Sequence, residues 1–228
     1  MRSPTLVALS LSLVACSKSE PAKAPPAPPA AAPAAAKRDL PPPPAPTSPV
    51  IGKPAPDFTL PALDGSPVSL ASFKGKTVVL EWFNPQCPFV VKAHTKGSLV
   101  ELAKKHTAAG VVWLAINSGG EGKQGHDPVV NSERATAWGL GHPILRDVDG
   151  AIGKAYGATN TPNMFVIGPD GTVVYAGAID NSPDGEGGSP AGGTLINYVD
   201  AALADLAAGR PVATPLTKPY GCSVKYAS

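Results

Sequence analysis

The sequence predicts an α/β domain in which a central mixed β-sheet carries helices on both faces, with a β-hairpin extension at its N-terminal side. Residues 77–83 read Thr-Val-Val-Leu-Glu-Trp-Phe, a run that is typical of a central strand covered on both faces. Helical and strand patterns alternate over residues 88–156, which favours parallel crossovers. The last two strands are joined by a tight turn, so they add an antiparallel pair.

The first elements follow from turn and stop signals. Residues 58–60 and 68–70 flank the turn sequence Asp-Gly at 64–65, which predicts a short hairpin. Residues 88–109 are then predicted to form one helix that ends at Gly110.

The second half of the domain contains the remaining predicted elements. Residues 111–117 predict the next central strand, and a glycine-rich loop follows at 118–127. The later elements are, in order, helices at 132–138 and 151–156, strands at 164–167 and 172–178, and a helix at 194–208.

The N-terminal segment predicts export. Residues 5–15 are apolar but far shorter than the roughly 20 residues of a membrane-spanning helix, which is typical of a signal sequence. The sequence Leu-Val-Ala-Cys at 13–16 resembles a bacterial lipobox, which implies lipidation of Cys16; an ordinary secretory cleavage site is the alternative. We therefore expect a signal peptide at 1–16 and a membrane-anchored lipoprotein that faces the periplasm or the cell exterior.

The rest of the chain divides by composition. Residues 17–49 are rich in proline and alanine and predict a disordered linker, because they have no apolar periodicity for a core. Residues 50–210 are long enough for one domain, and residues 211–228 form a tail with the last cysteine. The formal net charge is +2 without a concentrated basic face, so no nucleic-acid partner is expected.

The cysteines are the candidates for chemistry. The chain has three, without metal-ligand or haem spacing, so we expect no metal and no cofactor. If Cys16 carries lipid, Cys87 and Cys222 are left to form one disulfide.

Cys87 is expected to be a reactive thiol. It lies between the strand at 77–83 and Pro88, which fits the first helical position. The free N–H groups and the positive dipole end of a helix favour a thiolate there. The alternative is a small buried hydrophobic residue without redox chemistry.

Cys222 has three possible roles. It can be a resolving thiol for Cys87, a free or intermolecular thiol, or one half of a static disulfide that fixes the tail. Closing so long a loop would stabilise the fold by about 4–5 kcal/mol.

Four segments carry a resemblance to known proteins. Residues 80–90, Leu-Glu-Trp-Phe-Asn-Pro-Gln-Cys-Pro-Phe-Val, resemble the active-site segment of the thioredoxin superfamily, and residues 156–167 are similar to its substrate-facing Thr-Pro segment. Residues 52–60 resemble the start of redoxin and alkyl hydroperoxide reductase/thiol-specific antioxidant domains, and residues 221–226 the terminal signature of a peroxiredoxin-like subgroup. The resemblance implies a thioredoxin-like fold.

The resemblance also implies roles for single residues. Cys87 takes the attacking position, while Pro88, Thr161 and Pro162, the last of these a cis proline, would contact the substrate. Glu81 has the spacing of the buried carboxylate beneath a thioredoxin active site. It would accept a proton from a thiol and have a raised pKa. The alternative is a glutamate at a strand end that reaches solvent.

The sequence departs from both family patterns. Val90 replaces the second cysteine of C-x-x-C, so the resolving thiol must be distant or external. Asn84 stands where peroxiredoxins have a threonine three residues before the peroxidatic cysteine, which favours disulfide exchange over peroxide reduction. His94 lies about 10 Å along the helix from Cys87, too far for direct base catalysis. We expect His94 and His106 to be solvated helix residues.

The function expected from these observations is that of a membrane-tethered extracytoplasmic thiol–disulfide oxidoreductase. Its partners would be a protein disulfide or a peroxide, a thiol reductant, and the membrane that holds the lipid anchor. A thiol-dependent peroxidase is the alternative, and a redox-inert tethered binding module with a structural Cys87–Cys222 disulfide is an alternative of another class.

Overall fold

The structure, a computed structural model, describes residue 48 and residues 50–227. The predicted signal peptide at 1–16, the lipidation of Cys16 and nearly all of the linker at 17–49 lie outside the described residues. Among the residues described, no helix is both long enough and apolar enough to cross a membrane.

The described chain contains nine strands and five α-helices. The strands are β1 Thr59–Pro61, β2 Pro67–Ser69, β3 Val78–Trp82, β4 Val112–Asn117, β5 Ile144–Arg146, β6 Asn160–Thr161, β7 Asn163–Ile167, β8 Val173–Gly177 and β9 Cys222–Ser223. The helices are α1 Pro88–Thr95, α2 Leu99–Ala108, α3 Pro128–Ala137, α4 Ala151–Tyr156 and α5 Tyr198–Ala207, and a short 3-10 helix spans Leu70–Phe73.

The central sheet has five strands in the order β5-β4-β3-β7-β8. Strand β3 is parallel to β4 and antiparallel to β7, and all five of its residues are buried. This confirms the mixed sheet and the central position of the strand predicted at 77–83. The predicted hairpin forms β1 and β2, which pair in a separate two-stranded sheet.

Alternate residues of β3 enter two apolar layers. Leu80 and Trp82 pack in the layer that contains Tyr156 of α4. Val79 packs in the opposite layer with Leu102 of α2 and Val199 of α5. Helices therefore cover both faces of the sheet, as the sequence predicts.

The prediction of one helix over residues 88–109 is wrong, because the structure has two helices there, α1 and α2. The chain breaks near Gly97, where a Cβ atom would collide with the backbone oxygen of Gly185. A contact from a distant loop thus requires glycine at a position that local sequence reads as helix interior.

Other boundaries differ because of caps and short strands. Helix α3 starts before the predicted residue 132, since the Asp127 carboxylate accepts a hydrogen bond from the Val129 amide at 2.8 Å. Helix α5 starts after the predicted residue 194, at the Asn197 cap. Strands β5, β6 and β9 were not predicted, and each has only two or three residues.

The last segment of the chain pairs with the domain. Strand β9 is antiparallel to β6, and Leu216 forms a bridge with Ala176 of β8. The Thr217 amide donates a hydrogen bond to the Ala176 carbonyl at 3.1 Å. These contacts bring Cys222 to the end of the sheet where α1 begins.

Candidate active site

Cys87 lies at the junction of β3 and α1. It is the N-cap residue of α1, Pro88 is the first residue of that helix, and the Cys87 side chain is completely buried. Its Sγ atom donates a hydrogen bond to the backbone oxygen of Thr161 at 3.1 Å. The helix N-terminus predicted for this thiol is therefore present.

Cys222 is placed beside Cys87 by the β6–β9 pairing. Thr161 and Cys222 are direct partners in the antiparallel register, where Cα atoms are about 4.5–5.5 Å apart. Cys222 packs against the apolar cluster that contains Cys87. Of the cysteines that the structure describes, both are free thiols. The two residues predicted to meet are thus neighbours in space, although 135 positions separate them in the sequence.

The surroundings of Cys87 and Cys222 shift the pKa values of the two thiols in opposite directions. Burial alone would raise the pKa of Cys87, but once the thiol is ionised the side chains of Cys222 and Thr161 can donate hydrogen bonds to it, which favours the thiolate and brings the pKa below the ordinary thiol value. Burial and the neighbouring Cys87 raise the pKa of Cys222 to about 11. Cys87 is therefore the thiol that ionises first.

The residues predicted to contact a substrate lie next to Cys87 in the chain or in the segment whose Thr161 carbonyl accepts a hydrogen bond from its sulfur. The peptide bond between Thr161 and Pro162 is cis, and Pro88 begins the helix above Cys87. The Thr161 hydroxyl is buried and has no hydrogen-bond partner among the described residues. In the thiol form the Cys87 S–H points at the Thr161 carbonyl, so the hydroxyl is free to donate to a thiolate.

Glu81 is buried, as the resemblance implies, but its pKa is shifted in the opposite direction. Its carboxylate is fully buried, with His94 Nε2 at 2.7 Å and a hydrogen bond from Trp113 Nε1 at 3.2 Å. Burial would raise its pKa, but the charge and hydrogen bond of His94 bring the pKa below the usual value. The expected raised pKa and the alternative of a solvent-exposed glutamate are both wrong.

The two helix histidines predicted to be solvated are buried. His94 pairs with Glu81 and stacks on Trp138, with ring centroids 5.2 Å apart and planes at 5°. His106 Nε2 lies 2.7 Å from the Asp200 carboxylate of α5. The sequence spacing from Cys87 indicates how far along the chain each histidine lies. It does not indicate which elements pack over each histidine and bury it.

Comparisons with known proteins identify the family of the chain. Residues 51–176, more than half of the chain, match the model of the AhpC/TSA family. The chain belongs to the AhpC/TSA family. It is 32% identical over 129 residues to a protein named thiol-disulfide oxidoreductase ResA from Geobacillus thermodenitrificans (strain NG80-2), covering 56% of this chain and 68% of that protein.

Two solved structures match this AhpC/TSA chain over most of its length. One is an uncharacterized conserved protein from Geobacillus kaustophilus, with a TM-score of 0.68, 33% identity, and coverage of 81% of this chain and 97% of that chain. The other is a hypothetical protein from Sinorhizobium meliloti 1021, with a TM-score of 0.66, 28% identity, and coverage of 78% and 96%. The chain has a thioredoxin-like fold and is an oxidoreductase.

Asn84, three residues before Cys87, has a structural role in this AhpC/TSA chain. The Asn84 side chain accepts a hydrogen bond from the Gln86 amide at 2.9 Å and donates one to the Gln124 carbonyl at 3.3 Å. Asn84 therefore orders the turn before Cys87. Within the described part of the chain, no group of histidine, cysteine and carboxylate side chains could hold a metal ion.

The sequence reasoning missed His94 as a residue of this region. A signal for it was present, because a carboxylate in a buried central strand needs a partner. His94 follows in the next helix and could have been paired with Glu81 on that ground.

Proposed function

We propose that the chain is a membrane-tethered, extracytoplasmic thiol–disulfide oxidoreductase in which Cys87 attacks the substrate and Cys222 resolves the product. The observation that carries this proposal is the placement of Cys222 on β9, directly opposite Thr161 and beside the buried Cys87. The activity named for the Geobacillus thermodenitrificans relative supports the same reaction class.

The reaction would proceed by two exchanges. The Cys87 thiolate attacks one sulfur of a disulfide R–S–S–R′, a Cys87–S–S–R bond forms, and R′–S⁻ leaves. Cys222 then attacks Cys87 Sγ, releases R–S⁻ and gives its proton to a leaving thiolate. The substrate disulfide is reduced to one thiol and one thiolate, which takes its proton from solvent; the cysteine pair becomes a disulfide, and a thiol reductant restores the pair.

The resolving role of Cys222 is supported by the position of Val90. Val90 occupies the place of the second cysteine in C-x-x-C and is fully buried in the cluster around Cys87. Resolution from within the chain would therefore come from Cys222 on β9, which packs against the same cluster.

Reduction of peroxides is a second candidate, favoured by the Thr161 hydroxyl. A buried hydroxyl without a partner beside an ionised thiol can orient a small oxidant in the way that Asn84 cannot. The Cys87 thiolate would attack one peroxide oxygen, leaving a sulfenic acid and releasing the other oxygen as water or alcohol. Cys222 would then displace water to form the disulfide.

The deciding experiment is non-reducing peptide mapping of the chain across glutathione redox buffers. We expect Cys87 and Cys222 to interconvert between dithiol and disulfide within the buffer range. A pair that stays bridged throughout, with a potential below about −300 mV, would indicate a structural disulfide and the binding-module alternative. Cys87→Ser should abolish turnover of a model disulfide, whereas Cys222→Ser should leave a mixed disulfide on Cys87.

The tether is tested separately. Residues 1–16 are proposed as the signal peptide and Cys16 as the lipidated residue, on the resemblance of residues 13–16 to a lipobox. Cys16→Ser should move the protein from the membrane fraction to the soluble extracytoplasmic fraction. Unchanged membrane association of this variant would contradict the proposed anchor.

A further inference from the structure

The C-terminal strap, residues 221–227, lies along β6 as an added strand. Beyond the Thr161–Cys222 register, the Asn160 side chain donates to the Gly221 carbonyl at 3.0 Å. The Val224 amide donates to the Thr159 carbonyl at 3.0 Å. The polar backbone edge next to Cys87 is therefore occupied by the chain itself.

The far end of the strap is anchored by Tyr226. Its hydroxyl donates a hydrogen bond to the Ala158 carbonyl at 2.7 Å, and Lys154 Nζ lies 5.6 Å from the centre of its ring. The Gly120 amide donates to the Lys225 carbonyl at 2.8 Å. These contacts hold the strap at several points besides the cysteine.

Two glycines of the domain make room for this anchor. A Cβ at Gly153 would lie 2.5 Å from the Tyr226 hydroxyl oxygen, and a Cβ at Gly120 would lie 2.6 Å from the backbone of Ala227. Neither glycine has a positive φ, so close contacts are what require them: those of the strap at both positions and, at Gly153, also that of Ser118 Oγ at 2.8 Å. The seat of the strap thus extends over α4 and the loop before α3.

The strap limits what can reach Cys87. An extended polypeptide that pairs beside a cysteine uses the free N–H and C=O groups of a strand edge. At Thr159 and Thr161 these groups face the strap, and the Cys87 side chain has no exposed surface. A small molecule needs only local movement around the sulfur, whereas a polypeptide needs the edge that the strap occupies.

We propose that the strap is an internal occupant of the β6 edge that excludes polypeptide disulfides, so that the seated form reacts with small disulfides and a polypeptide reacts only after the strap is displaced. This inference rests on the proposed function, because it assumes that Cys87 attacks disulfides. The step is the first exchange given above: the Cys87–S–S–R bond forms, the substrate S–S bond breaks, and R′–S⁻ leaves.

The test measures this first exchange in Cys222→Ser protein, where the mixed disulfide on Cys87 accumulates and can be followed by mass spectrometry. The two probes are hydroxyethyl disulfide and a disulfide-linked dimer of a short unstructured peptide. Gly153→Ala and Tyr226→Ala weaken the anchor in different ways. Gly141→Ala is the matched control, because a Cβ there meets nothing within 4 Å and the backbone has no positive φ.

The expected result is a change in the ratio of the two rates. In Cys222→Ser protein without a further substitution, which is the parent of this series, the peptide disulfide should react at least tenfold more slowly than hydroxyethyl disulfide. Either anchor variant should raise the peptide rate about tenfold, which corresponds to about 1.4 kcal/mol of strap seating, and should change the small-disulfide rate less than about threefold. Gly141→Ala should leave both rates unchanged.

Deletion of residues 221–228 gives the limiting case, since it removes the strap altogether. If the peptide rate in the deletion protein equals that of the parent, or if both probes react equally well in the parent, the inference is overturned and the proposed function stands. If neither probe forms an adduct in any variant, Cys87 is not an attacking thiol, and the proposed function and the inference are both refuted.

Discussion

The buried pair of Glu81 and His94 gives the sharpest stability prediction. The Glu81 side chain is 0% exposed and that of His94 is 2% exposed, and Glu81 Oε1 lies 2.7 Å from His94 Nε2. Replacing His94 by leucine would leave a carboxylate inside the domain with the Trp113 N–H as its remaining donor. Breaking a buried pair in this way costs about 3–5 kcal/mol, so we expect His94→Leu to lower the free energy of unfolding by that amount near neutral pH.

The pH dependence has a definite sign. In the parent, the folded-state pKa of Glu81 is lowered, so its contribution to stability is present above the unfolded-state pKa and is lost as the pH falls through the folded-state value. Without His94, burial raises that pKa instead. The penalty of His94→Leu then shrinks as the pH falls from about 7 towards about 4.5, where the carboxyl can be protonated.

The measurement is urea unfolding of the reduced protein at several pH values. The matched control is His106→Leu, because His106 also lies 2.7 Å from a carboxylate, that of Asp200, whose side chain is 38% exposed. Because the Asp200 carboxylate stays partly in solvent, losing its partner should cost only about 0–1 kcal/mol in His106→Leu. Equal losses in the two variants, or a His94→Leu penalty that does not shrink on acidification, would refute the reasoning.

Three further predictions concern the two cysteines, Thr161 and Gly97. Alkylation of the reduced protein should show a midpoint for Cys87 that is lowered from the ordinary thiol pKa and one for Cys222 near 11; the reverse order would contradict the assigned acidities. Thr161→Val should move the Cys87 midpoint to higher pH while raising the free energy of unfolding by about 1 kcal/mol, because it removes a buried hydroxyl without a partner; a fall in both quantities would contradict this. Gly97→Ala should cost about 1–3 kcal/mol in urea unfolding, since its Cβ meets the Gly185 backbone, and the control Gly141→Ala should cost less than about 0.5 kcal/mol.

Local patterns predicted those elements whose cause is local. The strand at 77–83 and the helix start at Pro88 were confirmed because apolar runs and the position of a proline act on their immediate neighbours. The helix at 151–156 was confirmed at both ends, where Gly150 and Gly157 have positive φ values. The fold class followed from the order of such elements.

The remaining features depend on contacts between distant segments. Gly97 ends a helix because a loop from residue 185 packs on it, and the partner of Glu81 is decided by how α1 lies over β3. Strand β9 has only two residues and little apolar pattern, so its pairing could not be predicted. The position of Cys87 was predictable from sequence, whereas the closure of its surroundings by the strap was not.

The placement of the chain's three tryptophans makes its native fluorescence a readout of the site without any added label. Trp113 donates to the Glu81 carboxylate and Trp138 stacks on His94, so the emission of both responds to the state of that pair. Trp82 donates to Ser118 Oγ at 3.0 Å, and Ser118 binds the Asp147 carboxylate that also accepts from the Gly153 amide. In variants that keep a single tryptophan, the wavelength and intensity of its emission would therefore report on either the buried ion pair or the seat of Tyr226.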